Sequence, residues 1–160
     1  MIILGLDPGS ITTGFGVIEL AGRDHRFVDC GCLKASTKRA LPARLVQLYD
    51  GVAETLCQCQ PDEVAIEEVF YRLNAATAFK MSHVRGVLML AVAKAGLPIS
   101  EYAPREVKQA VVGTGSASKA QVQFMVKNIL RLRQMPASDA ADALAVALCH
   151  AHRLTSAVQR

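Results

Sequence analysis

The stretch that decides the fold is Ile2-Ile3-Leu4-Gly5-Leu6-Asp7-Pro8-Gly9-Ser10-Ile11-Thr12-Thr13-Gly14-Phe15-Gly16-Val17-Ile18-Glu19-Leu20. An apolar run stops at an acid, passes through an Asp-Pro-Gly-Ser turn, and resumes as a second run rich in β-branched residues, the pattern of a strand hairpin. Polar Ala21–His25 with Gly22 reads as a further turn, and Arg26–Lys34 as a third strand. Short connections between three early strands predict an antiparallel meander.

Beyond it the period changes. Leu41, Leu45, Leu48, Val52 and Leu56 recur at three and four residues, predicting a helix over 41–59 that Gln60-Pro61-Asp62 ends. Glu63–Phe70 reads as a strand and Ala75–Ala95 as a long helix closed by Gly96. Leu97–Ala103 reads as a strand and Arg105–Val112 as a short helix entered through Pro104. After the loop Gly113–Ser116, Ser118 caps a helix from Lys119 to about Leu132, and Ser138 caps a last one to about Arg153. The expected fold class is therefore α/β: a mixed five-stranded sheet, antiparallel meander plus parallel strands reached by helical crossovers, flanked by helices. One domain over 1–153 is expected, followed by a short polar, disordered tail over 154–160.

Composition narrows the classes. A chain of 160 residues that is 51% hydrophobic and 20% charged is neither disordered nor a coiled coil. Its longest uncharged apolar stretch, Gly86–Ala93, falls far short of the ~20 residues of a membrane span. The run Met1–Leu6 has no basic lead and does not read as a secretion signal. Five cysteines, an odd number, fit reduced thiols and a cytoplasmic location. Cys30-Gly31-Cys32 and Cys57-Gln58-Cys59 lack the spacing zinc sites favour. Without Trp and with 5% aromatic residues, a broad stacking platform for single strands is not expected. Residues 1–100 carry ten basic and ten acidic side chains, while 101–160 carry eight and four, so the net charge of +4 lies in the last third. Arg105, Lys108, Lys119, Lys127, Arg131 and Arg133 face a single acid, Glu106, within that segment, and a polyanion or plain solvent would suit it equally.

Four acids stand among apolar neighbours: Asp7 closing the first strand, Glu67 near the end of the fourth, and Asp139 and Asp142 three apart on one face of the last helix. Glu67 and Glu68 point to opposite faces of their strand, so at most one joins a cluster. Singly, Asp7 is explained by its turn, Asp139 by a helix first turn and Glu67 by an edge strand; Asp142, among alanines and Leu144, is not so easily placed. If the four converge, repulsion of ~4 kcal/mol per pair at ~4 Å demands raised pKa values or bound cations. An all-oxygen set suits Mg²⁺ or Mn²⁺, and two such ions can activate water and stabilise a leaving oxygen in phosphodiester cleavage. The basic segment would then hold the phosphate backbone. His150 and His152, two apart, share no face and are expected partly buried or exposed rather than ligating, and His25 and His83 carry no signal.

Five runs resemble, in order and nearly over the whole chain, the RuvC family of crossover (Holliday) junction endodeoxyribonucleases. They are Gly5–Gly16, Ala65–Phe70, Glu101–Lys108, Val111–Lys119 and Ser138–Ala145. The resemblance implies a ribonuclease H-like fold, a homodimer, and symmetric, Mg²⁺-dependent nicking of two strands of four-way junctions in recombination and repair. It implies two ions per site, with Mn²⁺ able to substitute, held by Asp7, Glu67, Asp139 and Asp142. These acids and Lys119 would form the catalytic set. Phe70 would stack on an unpaired base, Lys108, Lys119 and Arg105 would contact DNA, and the branch-migration proteins RuvA and RuvB would be partners. Lys119 at a helix N-terminus is poorly explained by local stability and well explained by a bound phosphate. The apolar circumference of the 75–95 helix fits either full burial or a two-fold interface.

Two other classes remain. Asp7-Pro8-Gly9 with Thr12 and Gly14 is similar to the phosphate loop of actin-like and sugar-kinase ATPases, which need two such lobes. A non-catalytic junction-binding module leaves the four acids without a task.

Overall fold

The computed structural model describes residues 1–68 and 75–157. In chain order its elements are β1 (Ile2–Asp7), β2 (Thr12–Ala21), β3 (Asp24–Lys34), α1 (Leu41–Cys59), β4 (Glu63–Glu67), α2 (Ala75–Lys94), β5 (Ile99–Tyr102), α3 (Pro104–Val112), α4 (Lys119–Ile129) and α5 (Ser138–Ala157). The sheet order is β3-β2-β1-β4-β5. β1, β2 and β3 form the antiparallel meander, and β4 and β5 run parallel to β1. The expected mixed five-stranded sheet is present.

Local chemistry explains the boundaries. The 8–11 turn is pinned by the Thr13 hydroxyl, which donates to the Gly9 carbonyl at 3.0 Å, and by the Arg44 guanidinium of α1, which donates to the Ser10 carbonyl. α1 ends at Gln60 in the left-handed region (φ 44°), its N–H returning to the Leu56 carbonyl. Asp62 then accepts the Ile2 N–H at 2.6 Å, which sets β4 beside β1. Ser118 caps α4 as expected, accepting the Gln121 N–H while the Gln121 side chain accepts the Ser118 N–H.

Helices cover both faces. Leu48, Val52 and Leu56 of α1 and Val84, Leu88 and Val92 of α2 pack on one face with Leu4, Leu6, Val64 and Ile66. On the other face α5 lies between the sheet and the α3–α4 layer, buried without interruption from Ala143 to Leu148. Small side chains make this possible, because Ala140, Ala141, Ala143, Ala145 and Ala147 let both layers approach the helix axis.

Four expectations need correction. α5 begins with Ser138 already inside the helix, since the Ala137 carbonyl accepts the first turn's Ala141 N–H. It also runs to Ala157 rather than Arg153, so residues 154–157 are helical instead of a disordered tail. Thr155 and Ser156 remain in it because their hydroxyls donate to carbonyls one turn back, Ala151 and His152. His150 is fully buried, hydrogen-bonded through Nδ1 to the Tyr102 hydroxyl and through Nε2 to Glu63, both at 2.8 Å. α2 is not wholly buried: Phe79 and Leu90 are 68% and 54% exposed, which removes one of its two explanations.

Candidate active site

Three elements bring the acids together. β1 delivers Asp7 at its carboxyl end, β4 delivers Glu67 beside it, and the first turns of α5 deliver Asp139 and Asp142. Oxygens of Asp7, Asp139 and Asp142 lie within 4.8 Å of one another. Glu67 lines the same cleft, and its charge raises the Asp7 carboxyl. Glu68, on the opposite face, is exposed, its N–H donated to the Tyr102 carbonyl.

The convergence depends on two glycines. A Cβ on Gly14 would sit 2.0 Å from the Asp139 carbonyl oxygen, and one on Gly5 would sit 2.1 Å from that of Ala143. Gly14 is the cross-strand partner of Asp7. Removing its side chain lets α5 settle against β2 at the level of Asp7, which places Asp139 and Asp142 over the strand end. Sequence reasoning located the acids and missed this reason for their meeting; glycines recurring on adjacent strands were the available signal.

Electrostatics record the crowding. Burial, then the charges of Glu67 and Asp142, push the Asp7 carboxyl up to about 8, while Lys119 opposes the shift. Burial and Asp142 push Glu67 up to about 7, opposed by the Asp7 hydrogen bond, Lys119 and Lys108. Without a cation, burial and mutual repulsion thus favour protonation within the cluster. Lys119 Nζ donates to Asp142 Oδ2 at 3.0 Å, and this bond raises the Lys119 pKa. Asp7, Glu67, Lys108, Lys119 and Asp142 line a cleft of about 200 Å³ between β1, β4, α3, α4 and α5. Arg105 does not reach it; its exposed side chain runs along Gly115. Phe70 lies outside the described residues.

The cysteines offer no competing centre. All five are free, and burial raises the thiols of Cys30, Cys32 and Cys59 and pushes Cys149 up to about 11. Among the described residues the only group of three or more potential ligands is the acidic one, and no helix is long and apolar enough to cross a membrane.

A β3-β2-β1-β4-β5 sheet with carboxylates gathered at the end of β1 and on a helix packed across it defines the ribonuclease H-like class. The family profile described as crossover junction endodeoxyribonuclease RuvC matches residues 3–150. A crossover junction endodeoxyribonuclease RuvC of Photobacterium profundum is 55% identical over 151 residues, 94% of this chain and 87% of that one. That of Halorhodospira halophila is 51% identical over 94% of this chain and 89% of its own. Thermus thermophilus RuvC in complex with Holliday junction substrate superposes with a TM-score of 0.90 at 37% identity, covering 98% of this chain and 96% of that one. The yeast mitochondrial Holliday junction resolvase Ydc2, 14% identical with a TM-score of 0.68 over 98% of this chain and 80% of its own, shares the fold. The chain belongs to the RuvC family of crossover junction endodeoxyribonucleases.

Proposed function

We propose that this protein resolves four-way DNA junctions by symmetric, metal-dependent nicking of two strands. The observation that carries the reading is the meeting of Asp7, Asp139 and Asp142 within 4.8 Å, with Glu67 lining the same cleft beside two lysines. The donors are all carboxylate oxygens, and those of Asp7 and Glu67 are forced toward protonation by burial and by neighbouring acids, Asp142 among them. That set fits hard divalent ions, Mg²⁺ with Mn²⁺ as a substitute, two per site. Asp7, Glu67, Asp139 and Asp142 would hold them. Bound there, such ions supply a nucleophilic water at neutral pH and stabilise the leaving oxygen.

The chain's own groups do the rest. Lys119 stands at the first residue of α4, so a phosphate oxygen beside it meets an ammonium and free backbone N–H groups together. Lys108 adds a second cation to the cleft wall. Phe70 would stack on an unpaired base near the crossover, and Arg105 would contact DNA outside the cleft. Two equivalent cuts need two sites facing opposite strands, which a two-fold homodimer supplies. The exposed Phe79 and Leu90 of α2 support that helix as its interface. RuvA and RuvB as partners are what membership of the family implies, and the five free cysteines suit a cytoplasmic setting.

A phosphate-loop ATPase lobe and a non-catalytic module are not favoured, since the first needs two such lobes and gives no task to Asp139 and Asp142, and the second uses none of the acids. The deciding experiment is nicking of a synthetic four-way junction by the purified protein with Mg²⁺ or with EDTA. Paired nicks in the first and none in the second are expected; a junction left intact in both rejects the reading.

A further inference from the structure

A second groove among the described residues is lined by none of the four clustered acids. It measures about 1050 Å³ and runs between the β2–β3 turn with the adjoining part of edge strand β3 and the segment joining α4 to α5. Arg23, Arg26, Arg131 and Arg133 line it, with His25, and Asp24 is the only acid. All four arginines are exposed. Arg26 reaches Glu19 at 3.7 Å across the hairpin, and among the described residues Arg23, Arg131 and Arg133 form no ion pair.

Arg131 holds its place at a conformational cost. It follows the end of α4 with φ 51°, its N–H returning to Asn128 and that of Leu132 to Lys127, the helix ending at which glycine is preferred. Local stability favours glycine there, so a guanidinium in the left-handed region points to a use for the side chain.

The same helix joins this groove to the cleft. Lys119 begins α4 in the cleft, and Ile129 and Leu130 end it in the groove. Eleven residues of helix span about 16 Å, roughly five base pairs of duplex. Exposed arginine forks that distance from a phosphate site, three of them outside any ion pair among the described residues, match the spacing and chemistry of a second stretch of sugar-phosphate backbone. We propose that the groove holds the backbone of a junction arm beyond the cut site, so that arm length contributes to affinity. This rests on the junction-nicking reading above.

The test compares junctions whose arms are closed by hairpin loops after about three base pairs with junctions whose arms extend to about twenty. The full chain and the double variant Arg131→Gly/Arg133→Ala are titrated in Ca²⁺ at several salt concentrations. For long arms the variant should bind about tenfold more weakly at low salt, and its log K against log salt slope should be shallower by about two. Short-arm binding and nicking at saturating protein should be unchanged. Arg131→Gly alone should melt at a higher temperature and still lose long-arm affinity, which separates the groove from folding. Equal long-arm affinities and salt slopes for the full chain and both variants would overturn the proposal and leave the groove to an acidic protein segment. Absence of any junction binding or nicking by the unaltered chain would instead reject the underlying reading.

Discussion

Lys119 Nζ sits 3.0 Å from Asp142 Oδ2, joining the N-terminus of α4 to the helix that crosses the sheet. An ammonium at a helix N-terminus is electrostatically misplaced. Its neighbours explain it: Asp142, Asp7 and Asp139 all favour the charged form. The Lys119 side chain is 68% exposed, so the pair adds less than about 1 kcal/mol to stability.

Lys119→Ala should therefore melt within a few degrees of the unaltered protein. Its single-turnover nicking of a four-way junction should fall about 100-fold or more, as expected for removal of a group aimed at developing negative charge. A nicking rate that survives the substitution would remove Lys119 from the chemistry.

Gly14→Ala places a methyl group against the Asp139 carbonyl, a backbone atom that cannot swing away. α5 must shift from the sheet, at a cost of about 3 kcal/mol or more when a packed layer is forced apart. Urea unfolding should show that loss, and nicking should fall even where the variant is fully folded, because Asp139 and Asp142 move with the helix. Unchanged stability would mean that α5 does not lie this close to β2.

The acids make the metal-free protein pH-sensitive. Asp7 and Glu67 titrate near 8 and 7 in the folded chain, against 3.8 and 4.5 for the free side chains. Between about pH 4 and pH 8 the folded state thus holds protons that the unfolded chain has released, so stability falls as pH rises through this window. Urea midpoints in EDTA should drop from pH 5 to pH 8.5, Asp7→Asn should flatten the slope, and Mg²⁺ should restore stability at the alkaline end. Asp7→Asn should also bind junctions normally and fail to nick them. A flat pH profile for the unaltered protein would show that the carboxylates do not crowd one another.

Apolar side chains on the outside of α2 carry the remaining expectation. Phe79→Glu with Leu90→Glu should convert a dimer to a monomer in sedimentation velocity, the two side chains being more than half exposed in the single chain. Paired nicking of one junction should give way to slower, uncoordinated single nicks. A monomer before substitution, or a dimer after it, would place the contact elsewhere.

Much of this molecule was legible from residue order. The Asp-Pro-Gly turn, the three- and four-residue spacing over 41–59, Pro104 and the Ser118 cap are local signals, decided within a few residues of chain. The acids were legible as candidates because each interrupts an apolar run. Element ends were less so: α5 outlasts its last core residues because Thr155 and Ser156 satisfy their hydroxyls on its own carbonyls, a choice open to polar residues in or out of a helix. His150 misled for the opposite reason, since a polar ring can be buried only where partners are waiting, and Glu63 and Tyr102 lie far away in sequence.

Strands, helices and their order came from local backbone preference and hydrophobic period, quantities written into neighbouring residues. The raised carboxyls of Asp7 and Glu67, the lysine resting on Asp142 and the arginine groove arose from packing, because each joins groups tens of residues apart through a spacing set by how closely α5 and its neighbours press on the sheet. Electrostatic energy follows distance and burial, and both come into being only when the layers close.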